Sequence, residues 1–416
     1  MCSAYREGHH VKLKNLAPAI AALAAVGLVA SGCSDDSSAD PAQNPATGEP
    51  IKVGQILSMQ AGGLSVANMG AGMTASIEAL NNRGGVSGRP LELVQCDSMG
   101  DPNKEVDCAN KMVSEGVTAT LADFTVASPE SVSQILTTAG IPRIGMNPMN
   151  MADFTSPNVF TPFSGSLLTL YANVDALVAQ GKTKLSLMRP DVPVAAMLSQ
   201  MLAPAVQAKG AEIVNEVAVG PGATDYTQFV AAAERNGAQG VLMALTATES
   251  NQVADAFEQL GSKLSFAMPA TNFTQADLQN LGTFATSSIY TSPVPAPSSS
   301  TDDFPGLVPF LDDMSASDQE DLARENLNGT EIFSWLSVRA FGEVAKTLGT
   351  IDAPSVMQGF QNAKDIDMAG LVPAWTPNAV EPFGIFQRVS NSMMYKMSFD
   401  GDVVVTDPNM FDLRTQ

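Results

Sequence analysis

The sequence predicts an α/β protein built from two doubly wound parallel-sheet lobes, and three observations carry that expectation. Residues 51–96, from IKVGQIL to LELVQC, read as strand, loop, helix and second strand. The same alternation resumes after a pause near residue 163. About 365 residues follow position 50, more than one hydrophobic core usually supports.

Residues 51–58 form a short apolar run with β-branched side chains, the length of a buried strand. Val66, Met69, Met73, Ile77 and Leu80 then recur at helical spacing, and Arg83-Gly84-Gly85 supplies a C-terminal stop. Residues 91–95 give the next strand. Helix 102–115, strand 117–122, helix 128–139 and strand 141–145 continue the rhythm, with Ser128-Pro129-Glu130 as an N-cap signature. After Phe160–Phe163 the second run follows: helices 167–180, 194–209, 225–236 and 250–260 alternate with strands 184–188, 212–218, 240–245 and 264–268. A Pro/Ser stretch at 292–300 is a second pause, residues 330–348 read as a long amphipathic helix, and 383–389, 392–400 and 402–406 read as terminal strands.

The segments ALNNRGGVSGRPLEL and CDSMGDPNKEVDCANKMVSEGV, with the strand and loop before them, resemble the branched-chain amino-acid-type (type I) substrate-binding proteins of ABC transporters. The resemblance runs through most of residues 51–375. It implies two lobes joined by three crossover strands: residues 51–163 plus 297–376 in the first lobe, and 164–296 plus 377–416 in the second. The three pauses, near 163, 296 and 376, alone would equally suit two consecutive domains.

Lys12 and Lys14 precede an Ala-rich apolar run at 16–30, the shape of a secretory signal peptide. Ala30-Ser31-Gly32-Cys33 resembles a bacterial lipobox, with Ala30 in place of the usual Leu, so residues 1–33 are expected to be leader and Cys33 the lipidated anchor to the outer face of the membrane. The Ser/Asp/Pro/Ala segment 34–50 reads as a tether reaching roughly 20–25 Å. The chain carries −21, and residues 1–32 hold three basic residues against one acid, leaving about −23 beyond them. That charge argues against nucleic acid as a partner. Both histidines precede Cys33, so a chain beginning there has no His-dependent nucleophile system and no His-ligated metal. Cys96 and Cys108 remain; in an exported protein they are expected to pair as a disulfide, the alternative being two buried thiols.

Ligands of open parallel sheets sit beyond the carboxyl ends of the strands. In a bilobal clamp the candidate loops are therefore Met59, Gln60, Ala61 and Gly62; Asp123, Phe124, Thr125, Ala127 and Ser128; Met146 and Asn147; Arg189, Asp191 and Pro193; Thr246, Thr248 and Glu249; and Asn272 and Phe273. Backbone N–H groups and a dipole at a helix start suit an anion, and the resemblance implies that Thr125 and Ser128 hold a ligand carboxylate, although Ser128 equally reads as a simple cap. Ser128→Ala and Phe273→Ala are expected to weaken binding with little loss of stability. Met59, Met146, Met149, Met151 and Met188 cluster near these loops and tilt the expectation from a zwitterionic amino acid toward a more apolar organic acid.

The other motifs yield little. Gly70-Ala-Gly-Met-Thr-Ala lacks the Walker lysine, Asp400-Gly-Asp402 is a hairpin tip, and Asp302-Asp303, Asp312-Asp313 and Glu320-Asp321 read as a solvated acidic face. The expected function is capture of a small organic ligand for ABC-type import by a monomer without cofactor, metal or catalysis. A ligand-sensing receptor coupled to a signalling protein is the alternative.

Overall fold

The computed structural model describes residues 45–59, 66–192, 195–320, 322–400 and 403–415. Cys33, Gln60, Ala61, Gly62 and Pro193 lie outside them. Residues 43–416 form one compact unit. In chain order the elements are β1 Ile51–Leu57, α1 Ala67–Asn82, β2 Leu91–Asp97, α2 Pro102–Glu115, β3 Thr120–Leu121, α3 Pro129–Thr138, β4 Arg143–Ile144 and β5 Val159–Phe160. Next come α4 Ser166–Ala179, β6 Lys184–Pro190, α5 Leu198–Ala208, β7 Glu212–Val219, α6 Thr227–Ala233, β8 Gly240–Met243, α7 Ala247–Leu260, β9 Ser265–Pro269, α8 Gln275–Asn280, α9 Gly282–Ser287 and β10 Ile289–Ser292. The chain closes with α10 Leu307–Ser315, α11 Gly329–Ala345, α12 Ala353–Asn362, β11 Glu381–Phe383, β12 Phe386–Val389, β13 Met393–Asp400, β14 Val403–Thr406 and β15 Phe411–Asp412.

Two large sheets result, as the alternation predicts, beside a small antiparallel pair of β11 and β12. The first is parallel throughout in the order β2-β1-β3-β4-β5. The second runs β7-β6-β8-β9-β10 in parallel and ends in the antiparallel strands β13 and β14, with β15 paired to β13. Each sheet is covered on both faces. On the first, Val53, Leu57, Met73 and Phe333 pack on one side and Ile56, Val94, Met112 and Leu136 on the other. On the second, Val241, Phe266 and Phe284 oppose Leu187, Leu242 and Leu168. Burial of both faces is what makes a central strand such as β8, GVLM, continuously apolar, while the edge strand β7 alternates with polar residues.

Several details depart from the sequence reading. The strands expected at 117–122 and 141–145 pair over only two residues each, Thr120–Leu121 and Arg143–Ile144. The helix expected to reach residue 236 ends at Ala233, and Asn236 adopts φ +57. Asp313 does not belong to a solvated face: it is buried, accepting from Arg83 at 2.9 Å and from the Trp335 indole at 2.8 Å. Its placement follows from α10 packing on α1 and α11, which turns Asp313 inward while Asp312, Asp302, Asp303 and Glu320 stay exposed.

Cys96 and Cys108 are disulfide-bonded with Cα atoms 5.6 Å apart. The bond ties the end of β2 to the middle of α2. Closing a loop of 12 residues restricts the unfolded chain, so a Cys96→Ala/Cys108→Ala double variant is expected to lose about 3 kcal/mol, read as a lower urea midpoint.

Candidate functional site

The carboxyl ends of β1, β3 and β4 are drawn together by one buried cation. Arg143, fully buried, donates from Nε to Asp123 Oδ2 at 3.3 Å, from Nη1 to Asp153 Oδ1 at 3.3 Å and from Nη2 to the Thr125 hydroxyl at 3.1 Å. Asp123 also accepts the Ile56 N–H at 3.0 Å and the Thr120 hydroxyl at 2.5 Å. Asp153 accepts the N–H groups of Met149 and Asn150 at 3.0 and 3.3 Å and the Asn150 amide at 2.8 Å. Burial pushes both carboxyls up from their usual range, against the pull of Arg143. Ala122, at φ +44, turns the chain sharply after β3 and delivers Asp123 to this cluster.

The loop after β3 is therefore held from within. Phe124 is buried in the first core and donates its N–H to Ile56 O at 2.8 Å. Thr125 receives Arg143 on its hydroxyl and Asn150 Nδ2 on its carbonyl at 3.2 Å. The N–H of Val126 donates to Glu105 Oε1 at 2.9 Å, that of Ala127 to Oε2 at 3.1 Å, and that of Ser128 to Oε2. Ser128 stands at the N-cap of α3, but its side chain makes no cap bond. After β1, the Met59 N–H donates to Asp97 Oδ1 at 2.9 Å. After β4, Met146 is buried, while the Asn147 amide donates to the Ser166 hydroxyl at 2.9 Å and leaves its own Oδ1, a buried atom, without a partner.

In the second sheet the candidates divide. Asp191 is exposed just past β6, and Arg189 is mostly buried in a pair with Glu216. Thr246 caps α7: its hydroxyl and Glu249 close a reciprocal capping box, and Thr248 is exposed. Asn272 is exposed after β9, whereas Phe273 is buried in the second core.

The loop ends of the two sheets abut. Asn147, beyond β4, bonds Ser166 at the start of α4 on the second sheet. Thr271, beyond β9, accepts the N–H of Gly329 at the start of α11 on the first, at 2.8 Å. The chain passes between the sheets beside these contacts: Asn391 Nδ2 donates to Pro162 O at 2.9 Å, and the Ala296 N–H donates to the Thr406 hydroxyl at 3.0 Å. A cavity of about 660 Å³ lies elsewhere, between the end of α11 and α12, lined by Leu348, Gln358 and Asp365 among others. Among the described residues no group of three or more His, Cys, Asp or Glu could hold a metal, and no helix is long and apolar enough to cross a membrane.

Glu331 is a further buried acid that the sequence reading missed. It sits in the first turn of α11, where Oε2 accepts the Asn328 N–H at 3.0 Å and Oε1 has no partner. Burial, only partly offset by these bonds, pushes its pKa up to about 7. The native state then keeps a proton that the unfolded chain releases near pH 4.5. Its contribution to stability is full below that pH and vanishes as pH rises through 7. Stability is expected to fall by roughly 2–3 kcal/mol between pH 5 and 8, and Glu331→Gln should flatten that part of the profile in urea melts.

One parallel and one mostly parallel sheet, joined by chain that passes repeatedly between them and with their strand-end loops abutting, define a two-lobed α/β fold. The chain belongs to the periplasmic binding protein family, whose sequence profile matches residues 50–386. The fold is that of solved structures at low identity. A branched-chain amino-acid ABC transporter protein from Thermus thermophilus with bound valine is 16% identical with a TM-score of 0.74, covering 88% of this chain and 98% of that one. A possible leucine/isoleucine/valine-binding protein from Rhodopirellula baltica SH 1 is 16% identical, with a TM-score of 0.73 over 89% and 98%. A solute-binding protein of an ABC transporter from R. palustris, in complex with 4-hydroxybenzoate, is 17% identical, with a TM-score of 0.70 over 88% and 97%. No curated protein matches the chain. Family membership makes this an extracytoplasmic binding protein of small ligands and not an enzyme.

Proposed function

We propose that this protein captures one small organic solute, an amino acid or a more apolar organic acid, between its two lobes and presents it to an ABC permease. The observation that carries this reading is the abutment of strand-end loops from both sheets, where Asn147 beyond β4 bonds Ser166 at the start of α4, and Phe124 and Met146 belong to the proposed lining. Hinge closure over such loops buries the ligand. The lobes would comprise residues 51–163 with 297–376 and 164–296 with 377–416, and Cys33 would carry a lipid that anchors a monomer through the 34–50 tether. Met59, Gln60, Thr125, Ala127, Ser128, Asp191, Thr246, Asn272 and Phe273 complete the proposed lining, the last contributing through the shape of its loop.

A thermal-shift panel of amino acids, aromatic acids, fatty acids and sterols tests the reading. A true ligand at 100 times its dissociation constant should stabilise by about 2.7 kcal/mol. A panel in which nothing moves the melting point overturns it. Mass spectrometry of material carried through purification would identify the ligand directly.

A further inference from the structure

Glu105 lies in the first turn of α2, at the head of a stripe of buried residues completed by Cys108, Ala109 and Met112. A carboxylate in that stripe needs a reason to be inside, and the loop after β3 supplies one. The backbone N–H groups of Val126, Ala127 and Ser128 all point at it, with Val126 on Oε1, Ser128 on Oε2 and Ala127 shared between the two at 3.3 and 3.1 Å. Glu105 is fully buried and forms no salt bridge among the described residues, so these three donors and the start of α3 hold its charge. Successive N–H groups converging before a helix are the arrangement that takes a carboxylate from a ligand. Here the chain fills it with its own. The cation beside this loop offers no substitute: Arg143 is enclosed by Asp123, Asp153 and Thr125.

We propose that Glu105 determines ligand specificity: its carboxylate occupies the anion position formed by the Val126, Ala127 and Ser128 N–H groups, so a ligand meets this end of the cleft with a neutral or apolar group. The proposal rests on the reading of the protein as an interlobe binder. A ligand that carries an acid turns it away from α3, because a second carboxylate there would face a like charge and find its donors already engaged. The disulfide matters to this arrangement, since Cys108 is one turn beyond Glu105 and fixes α2 against β2.

The experiment compares the wild-type protein with Glu105→Ala and Glu105→Gln. In sodium formate against sodium chloride at equal ionic strength, formate should raise the melting midpoint of Glu105→Ala by entering the vacated position. The wild-type midpoint should not move. Equal midpoints in the two salts for Glu105→Ala overturn the proposal. Glu105→Gln, which preserves side-chain length, carries the test if the alanine variant does not fold. Its affinity for benzoate relative to benzamide, and for valine relative to valinamide, should rise about tenfold over the wild-type ratio as the like charge is removed. A wild-type protein that already prefers the carboxylate member by that factor, with Glu105→Gln unchanged, also overturns it. If the wider ligand panel is silent while formate rescues Glu105→Ala, the anion position stands and the binding reading fails; if ligands bind and formate does nothing, the reverse holds.

Discussion

Arg143→Met is expected to lose about 3–5 kcal/mol of stability, the loss found when one partner of a buried ion pair is removed. Methionine fills much of the same volume, so the effect isolates charge and hydrogen bonding from packing. Without the guanidinium, Asp123 and Asp153 are left together in the interior, both buried. Their pKa values, already raised by burial, lose the nearby positive charge that opposes it, and only the hydrogen bonds from Thr120 and Ile56 to Asp123 and from Met149 and Asn150 to Asp153 remain. Arg143→Lys should fall between, because a single ammonium cannot serve three acceptors held in a fork. Adding Asp123→Asn to Arg143→Met should recover part of the loss, and the shortfall measures what Asp153 still lacks. A urea midpoint for Arg143→Met indistinguishable from wild type would show that the cluster is not what holds the strand-end loops.

That cluster also marks where the sequence stopped being readable. The alternation of strand and helix, the glycine-containing stop after Leu80 and the Cys96–Cys108 pairing could all be read locally, because each depends on residues close in the chain. Arg143 gave a signal in kind: a charged residue inside the short apolar run IPRIG, whose side chain had to go somewhere. Its partners could not be read, since Asp123 and Asp153 lie 20 and 10 residues away and are brought together only by the order β3-β4 in the sheet. Glu105 was equally legible in principle. It shares the helical stripe of Cys108, Ala109 and Met112, a position where an acid is buried only with donors to receive it. The three N–H groups that receive it come from a loop 21 to 23 residues on.

The strand-end rule names loops and not side chains. It takes every residue of a loop as a possible contact, whereas capping and packing claim some of them first. Thr246 is an instance: its hydroxyl and Glu249 satisfy each other's backbone at the start of α7, so the residue that looked available for a ligand is engaged with its own helix. Ser128 is the converse, since its side chain makes no cap bond while its N–H is committed to Glu105. A hydroxyl at a helix start is thus informative only once its neighbours three residues on are considered.

Phe273→Ala is expected to lose about 3–5 kcal/mol, as large aromatic truncations in a packed core do. The residue follows β9 at the carboxyl edge of the second sheet, yet its ring is buried in the cluster that contains Tyr226, Phe266 and Phe284. This corrects the expectation that it could be truncated with little loss of stability. Any drop in apparent affinity for Phe273→Ala would then mix unfolding with lost contact, and the two separate only if binding is measured on the folded fraction. Asn272 supplies the control, because it is exposed on the same loop. Asn272→Ala should leave stability within about 0.5 kcal/mol of wild type, so a loss of ligand affinity in that variant reports contact alone. A Phe273→Ala protein with an unchanged urea midpoint would mean that the loop after β9 is not packed as described, and the second lobe's share of the binding surface would have to be drawn again from Asp191 and Thr246.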